Sequence, residues 1–168
     1  MIQKAKAGRK RTASRVKPAT DAMTDQTIEN WMTKPVLTVR PHDSVAHARR
    51  LLEQHRINQL PVVIDRTLIG IVTDRDLRNA SDSIAASGKA ARAPLGRVDV
   101  VPENIVVETI MSANVMALKP GDTMAEAAKL MHRERIGGVP VIEGKRIAGI
   151  ITRSDVLKAF IALTAAKG

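Results

Sequence analysis

Slid against itself by 79 positions, this 168-residue chain matches without a gap: residues 29–77 pair with 108–156, and 16 of the 49 pairs are identical. The identities include Met32/Met111, Pro41/Pro120, Asp43/Asp122, Leu51/Leu130, Arg56/Arg135 and Ile57/Ile136. They continue through Pro61/Pro140, Val62/Val141, Gly70/Gly149, Thr73/Thr152 and Asp76/Asp155. Most of the other pairs exchange like for like, as in Leu52/Met131 and Leu68/Ile147. An ungapped match of this length implies one supersecondary unit written twice. A 49-residue unit has too little interior to stand alone, because domains below about 60 residues are marginal. The two copies are therefore expected to pack on each other, sheet face to sheet face, about a pseudo-twofold axis.

Each copy reads in the same order. A short extended segment (Val36–Val39; Val115–Leu118) is followed by a helix started by Ser44 or Thr123. Thr123 and Glu126 have the spacing of a capping box. Val45, Ala48, Leu51 and Leu52, matched by Met124, Ala127, Leu130 and Met131, fall on one helical stripe. Two short β-branched runs come next: Leu60–Ile64 and Leu68–Val72 around a turn at Asp65–Thr67, then Val139–Ile142 and Ile147–Ile151 around Gly144. Such runs about polar turn residues indicate hairpins. Pro61 and Pro140 sit near the strand starts, where a missing N–H is tolerable. A second helix opens near Asp74 or Arg153, the last running through Phe160 to about Ala165. The chain thus divides into an N-terminal arm over 1–24, a first repeat over 25–78, a connector over 79–104 and a second repeat over 105–164. The connector is rich in Ala, Ser and Gly and longer than an ordinary loop.

Charge has to be placed before it can be read. The formal charge is +10, but seven of the 27 Lys and Arg, and none of the 17 Asp and Glu, lie in residues 1–20. The remainder carries 20 bases against 17 acids. The first twenty residues have no apolar periodicity and read as a disordered basic arm. They lack the apolar core of a secretory signal, although an Arg-rich, acid-free start also resembles an organelle transit peptide. With only Trp31 and Phe160 as aromatics, the chain cannot build a stacking platform for single strands. A nucleic-acid contact, if made, belongs to the arm, and the alternative reading of the chain is a nucleic-acid-associated protein with the repeats as a dimerising scaffold. Absence of cysteine removes disulfides, thiolate zinc sites and cysteine nucleophiles. No run of 18 apolar residues is present, so no membrane insertion is expected. His42, His47, His55 and His132 are too scattered for a metal site, and no acid pair or serine with a base partner marks an enzyme.

Order and punctuation match a known family. Each copy resembles a cystathionine-β-synthase (CBS) domain, and the two together resemble a tandem CBS pair. The residues that carry this are Met32-Thr33 and Met111-Ser112, Pro41-His-Asp43-Ser44 and Pro120-Gly-Asp122-Thr123, and Leu60-Pro61-Val62-Val63 and Val139-Pro140-Val141-Ile142. Each unit closes with Gly70-Ile-Val-Thr73-Asp-Arg-Asp76 or Gly149-Ile-Ile-Thr152-Arg-Ser-Asp155. The resemblance covers about residues 27–160, and no other domain is expected. It implies an α+β fold of two β-α-β-β-α repeats with two clefts between them. It also implies a regulatory rather than catalytic role, with an adenine nucleotide or S-adenosylmethionine as regulatory ligand and no cofactor. A homodimer, an effector protein in trans and a cytoplasmic location follow from the same reading.

The candidate site residues follow from chemistry and resemblance together. Thr73 and Thr152 stand where the last strand turns into a helix, whose first N–H groups suit a phosphate. Asp76 and Asp155 lie one turn on, and a carboxylate accepts both hydroxyls of a ribose; the resemblance assigns them that task. Val36, Ile57, Val115 and Ile136 are the aliphatic positions for an adenine. Thr-x-x-Asp at a helix start is also close to a capping box, and the residues alone leave both readings open. Some nucleotide-binding relatives, such as the regulatory subunit of AMP-activated kinase, carry bases before the second strand, where this chain has Asn58-Gln59 and Gly137-Gly138. Phosphate charge then falls to Arg75 and Arg153, or to Arg56 and Arg135. That leaves room for AMP, S-adenosylmethionine or a cyclic dinucleotide.

Overall fold

A computed structural model describes residues 26–86 and 105–165. The basic arm and the greater part of the expected connector lie outside the described residues. Within them the first repeat forms α1 (Val45–His55), β1 (Gln59–Ile64), β2 (Thr67–Thr73) and α2 (Asp74–Ala86). The second forms α3 (Met124–Glu134), β3 (Gly138–Glu143), β4 (Arg146–Thr152) and α4 (Arg153–Ala165). Helix α2 continues to Ala86, into the stretch expected to connect the repeats.

Local chemistry accounts for the element ends. Ser44, in an extended conformation, accepts the N–H of His47 at 3.1 Å and starts α1. Thr123 accepts the N–H of Glu126 at 3.2 Å, and the Glu126 carboxylate accepts the N–H of Thr123 at 2.7 Å, closing the capping box on α3. Arg56 and Arg135 end these helices with φ of 52° and 56°. A left-handed residue at this point is the usual way to stop a helix, although glycine is the usual occupant.

The hairpins are antiparallel, from Gln59↔Thr73 to Ile64↔Thr67 and from Gly138↔Thr152 to Glu143↔Arg146. The extended segment ahead of each helix contributes one parallel bridge to its own hairpin, Val39↔Val62 and Leu118↔Val141. The hairpins join through Thr67↔Arg146 into one four-stranded sheet of order β1-β2-β4-β3. The join is a single bridge at one corner, and Gln59 at the start of β1 lies against Gly138 at the start of β3, so the outer strands of the two copies are also in contact. The opening segments add to this contact. Ile71 and Ser112 exchange backbone hydrogen bonds of 3.0 and 2.9 Å, and Ile150 and Thr33 do the same at 3.1 and 2.9 Å.

The opening turns thus cross over. Residues 28–30 dock on the second repeat through the N–H of Ile28 to Asp122 O (2.8 Å) and of Glu29 to Pro120 O (3.0 Å). Residues 107–109 dock on the first repeat through the N–H of Val107 to Asp43 O (2.9 Å) and of Glu108 to Pro41 O (2.9 Å). Every one of these contacts is matched by its counterpart 79 residues on, which is the pseudo-twofold axis in operation. Two cores result. Val107 is buried with Val45, Leu52, Leu60 and Val72, whereas Ile28 and Met32 are buried with Met124, Met131, Val139 and Ile151.

Candidate functional site: two clefts between the repeats

The crossing leaves two adjoining openings where β2 and β4 run into their helices. The larger cleft, about 680 Å³, is lined by Thr73, Arg75 and Asp76 of the first repeat and by Val115, Ile136 and Arg153 of the second. The other, about 520 Å³, is lined by Val36 and Ile57 of the first repeat and by Thr152, Arg153 and Asp155 of the second. All ten candidate residues thus stand at a cleft, and the partition is crosswise: the Thr–Asp pair of one repeat faces the aliphatic pair of the other. Val36, Ile57, Val115 and Ile136 are all half-buried, leaving apolar surface in each cavity. Arg135 lines the first cleft and Arg56 the second.

The Thr–Asp geometry is the same in both copies. The Asp76 Oδ2 accepts the N–H and the hydroxyl of Thr73 at 2.8 and 2.7 Å, and Asp155 Oδ2 accepts those of Thr152 at 3.0 and 2.6 Å. Each carboxylate is therefore a helix cap through one oxygen and still has a second oxygen at the cleft wall. The two differ in that oxygen. Asp155 Oδ1 accepts from Lys158 Nζ at 3.4 Å and Asp155 is only 5% exposed, while Asp76 Oδ1 has no such partner among the described residues.

The helix starts are less open than the sequence suggested. The N–H of Asp74 donates to Asn58 O and that of Arg153 to Gly137 O, both at 3.0 Å. The N–H groups of Asp76 and Asp155 reach their threonine hydroxyls at 3.4 Å. An anion at either helix start would meet chiefly the N–H of Arg75 or Ser154, so its charge must be met by guanidinium groups. Gly70 and Gly149 lie within the central strands β2 and β4. A Cβ on Gly70 would lie 2.5 Å from Met111 Sδ, and one on Gly149 would strike Met32. What approaches these glycines is the other repeat's opening turn, not a ligand.

Two lining residues, Arg78 and Lys158, were not among those expected from the sequence. Arg78 lines the larger cleft and pairs with Asp74; Lys158 lines the smaller. Asn58, Gln59 and Gly137 line both. Helical spacing from Asp74 and Asp155 would have placed Arg78 and Lys158 on those helix faces, but only the crossing puts the faces into cavities. Among the described residues no group of three His, Asp or Glu is placed to hold a metal ion, and no helix is long and apolar enough to cross a membrane.

Known proteins share this architecture. The family model of the CBS domain matches residues 28–83 and again 107–162. A CBS domain-containing protein of Dictyostelium discoideum is 35% identical, the match covering 80% of this chain and 90% of that one. An inosine-5'-monophosphate dehydrogenase of Korarchaeum cryptofilum is 34% identical over 76% of this chain, which spans 23% of the dehydrogenase. Among solved structures, the CBS domain pair of protein MJ0100, in complex with 5'-methylthioadenosine and S-adenosyl-L-methionine, superposes with a TM-score of 0.65 at 27% identity, covering 82% of this chain and 97% of that one. Two matched copies, crossed in space and closed by the same Thr–Asp caps, place the chain in the CBS-domain family as a tandem pair.

Proposed function

We propose that the chain is a non-enzymatic regulatory module that binds an adenosine-containing ligand in its inter-repeat clefts. The observation that carries this is the crosswise pairing of a capped carboxylate with half-buried aliphatic side chains in each cavity. The carboxylate suits a ribose diol, the aliphatic pair a purine face, and the arginines a phosphate or another charged tail. The MJ0100 pair, with its two adenosine-containing ligands, supports the same chemistry. AMP, ADP, ATP, S-adenosylmethionine and cyclic dinucleotides are the class to test. Because Asn58-Gln59 and Gly137-Gly138 supply no charge, a short phosphate chain is favoured over a triphosphate.

In this reading, ligand binding shifts the angle between repeats and the signal passes to an effector protein in trans, in the cytoplasm. Helix α4 exposes Leu157 (61%), Phe160 (45%) and Ile161 (63%), an apolar face suited to a second copy in a homodimer. A thermal-shift screen of the five ligands tests the binding reading, since a ligand at a hundred times its Kd stabilises by about 2.7 kcal/mol. Calorimetry should then show Asp76→Ala and Asp155→Ala each weakening its own cleft by about tenfold or more. No shift with any ligand, or unchanged affinity in both variants, overturns the proposal.

A further inference from the structure

Resting on that reading, a second property comes from residues the two clefts share. Four side chains or backbones line both cavities: Asn58, Gln59, Gly137 and Arg153. Asn58 and Gln59 have Gly137 and Gly138 as their counterparts 79 residues on, so both amides lack a twofold mate. The counterpart of Arg153 is Asp74, which has the opposite charge and pairs with Arg78. The seam between the clefts therefore holds a single guanidinium, where the twofold axis would generate two.

Arg153 is exposed, and its Nε donates to Ile136 O at 3.0 Å, which holds the guanidinium against the wall of the larger cleft and leaves the other nitrogens to a ligand. The Gln59 Nε2, by contrast, is buried where a side chain on Gly138 would have to go. A single guanidinium can complete the anion site of one cleft at a time.

We infer that the two clefts are negatively coupled, the first ligand taking the Arg153 guanidinium and leaving the second cleft without it. The order is also set. In the smaller cleft the Asp155 Oδ1 already holds Lys158, whose counterpart Asn79 is uncharged. In the larger cleft the Asp76 Oδ1 is open to a ribose, and Arg153 is anchored on that side. The first ligand enters at Asp76.

The test is calorimetric titration of the full chain with AMP. The wild type should bind in two steps separated by about tenfold or more, within the usual range of coupling between sites. Asp76→Ala should abolish the tighter step and leave one step tighter than the weaker step of the wild type, because Arg153 is then free for the smaller cleft; a remaining step of unchanged affinity overturns the coupling. Arg153→Gln should bring the steps to within about threefold of each other, because the tighter step alone loses the shared charge. Thermal unfolding checks that each variant is folded. Two equal, independent steps in the wild type, each removed by its own aspartate variant, overturn the coupling and leave the cleft reading intact. An unchanged separation in Arg153→Gln overturns it as well. No AMP binding to the wild type removes both.

Discussion

One four-residue device closes three helix starts in this molecule, and it shows how much a residue pattern can say. Thr123 with Glu126, Thr73 with Asp76 and Thr152 with Asp155 make the same reciprocal bonds. The first faces solvent and is a cap alone; the other two face cavities. In sequence these cannot be told apart, because capping and ribose binding call on the same carboxylate at the same spacing, and only its surroundings decide whether the second oxygen has a further use. The cap itself is testable at Glu126. Its carboxyl is held below the ordinary carboxylate range, first by the Thr123 backbone N–H and then by the Thr123 hydroxyl. A lowered pKa in the folded state gives stability that is present above the unfolded value and is lost as pH falls through the folded one. Glu126→Gln should therefore unfold at a lower urea midpoint than the wild type at neutral pH, and the difference should close under acid conditions. A difference that persists unchanged in acid would assign the effect to something other than the ionised cap.

At the scale of elements, the hairpins and the helices around them were legible because their periodicities differ and their turn residues are explicit. What β2 and β4 lie against was not. A glycine within a strand signals close approach but carries no label for what approaches, a ligand or another stretch of chain. The occupant is Met111 at Gly70 and Met32 at Gly149. At Gly149 the crowding reaches toward the root of the side chain, with Met32 Cγ 2.9 Å and Cβ 3.3 Å from an added Cβ. At Gly70 it involves Met111 Sδ and Cγ at 2.5 and 3.2 Å, the mobile end, together with Ser112 O at 3.3 Å. Overpacking of this kind costs about 1–3 kcal/mol. Gly149→Ala should thus lower stability more than Gly70→Ala in urea unfolding. The cost should shrink when Met32→Ala is made in the same chain, because the neighbour that must move is gone. Additive losses in the double variant would show that the strand, not the methionine, resists the new methyl.

For the molecule as a whole, the repeat fixed that two units exist and that neither is sufficient, but not how they complete each other. An offset of 79 is satisfied equally whether each opening turn covers its own core or its partner's, since the residues are the same in either case. The choice is visible only in three dimensions, where Ile28 is fully buried among residues of the second repeat and Val107 among those of the first. This exchange makes the pair a single stability unit and also builds the clefts, because it sets the Thr–Asp end of each repeat against the aliphatic wall of the other. It follows that damage to one end of the chain should be felt in the other repeat. Ile28→Ala removes a fully buried side chain and should cost about 2–5 kcal/mol. Amide exchange should then lose protection first in α3, β3 and β4, although the substitution lies ahead of α1 in the chain. The first repeat should open later, because its own core keeps Val107. Protection falling first across residues 45–73 would mean that the opening turn stabilises its own repeat, and the account of the clefts as products of the crossing would fall with it.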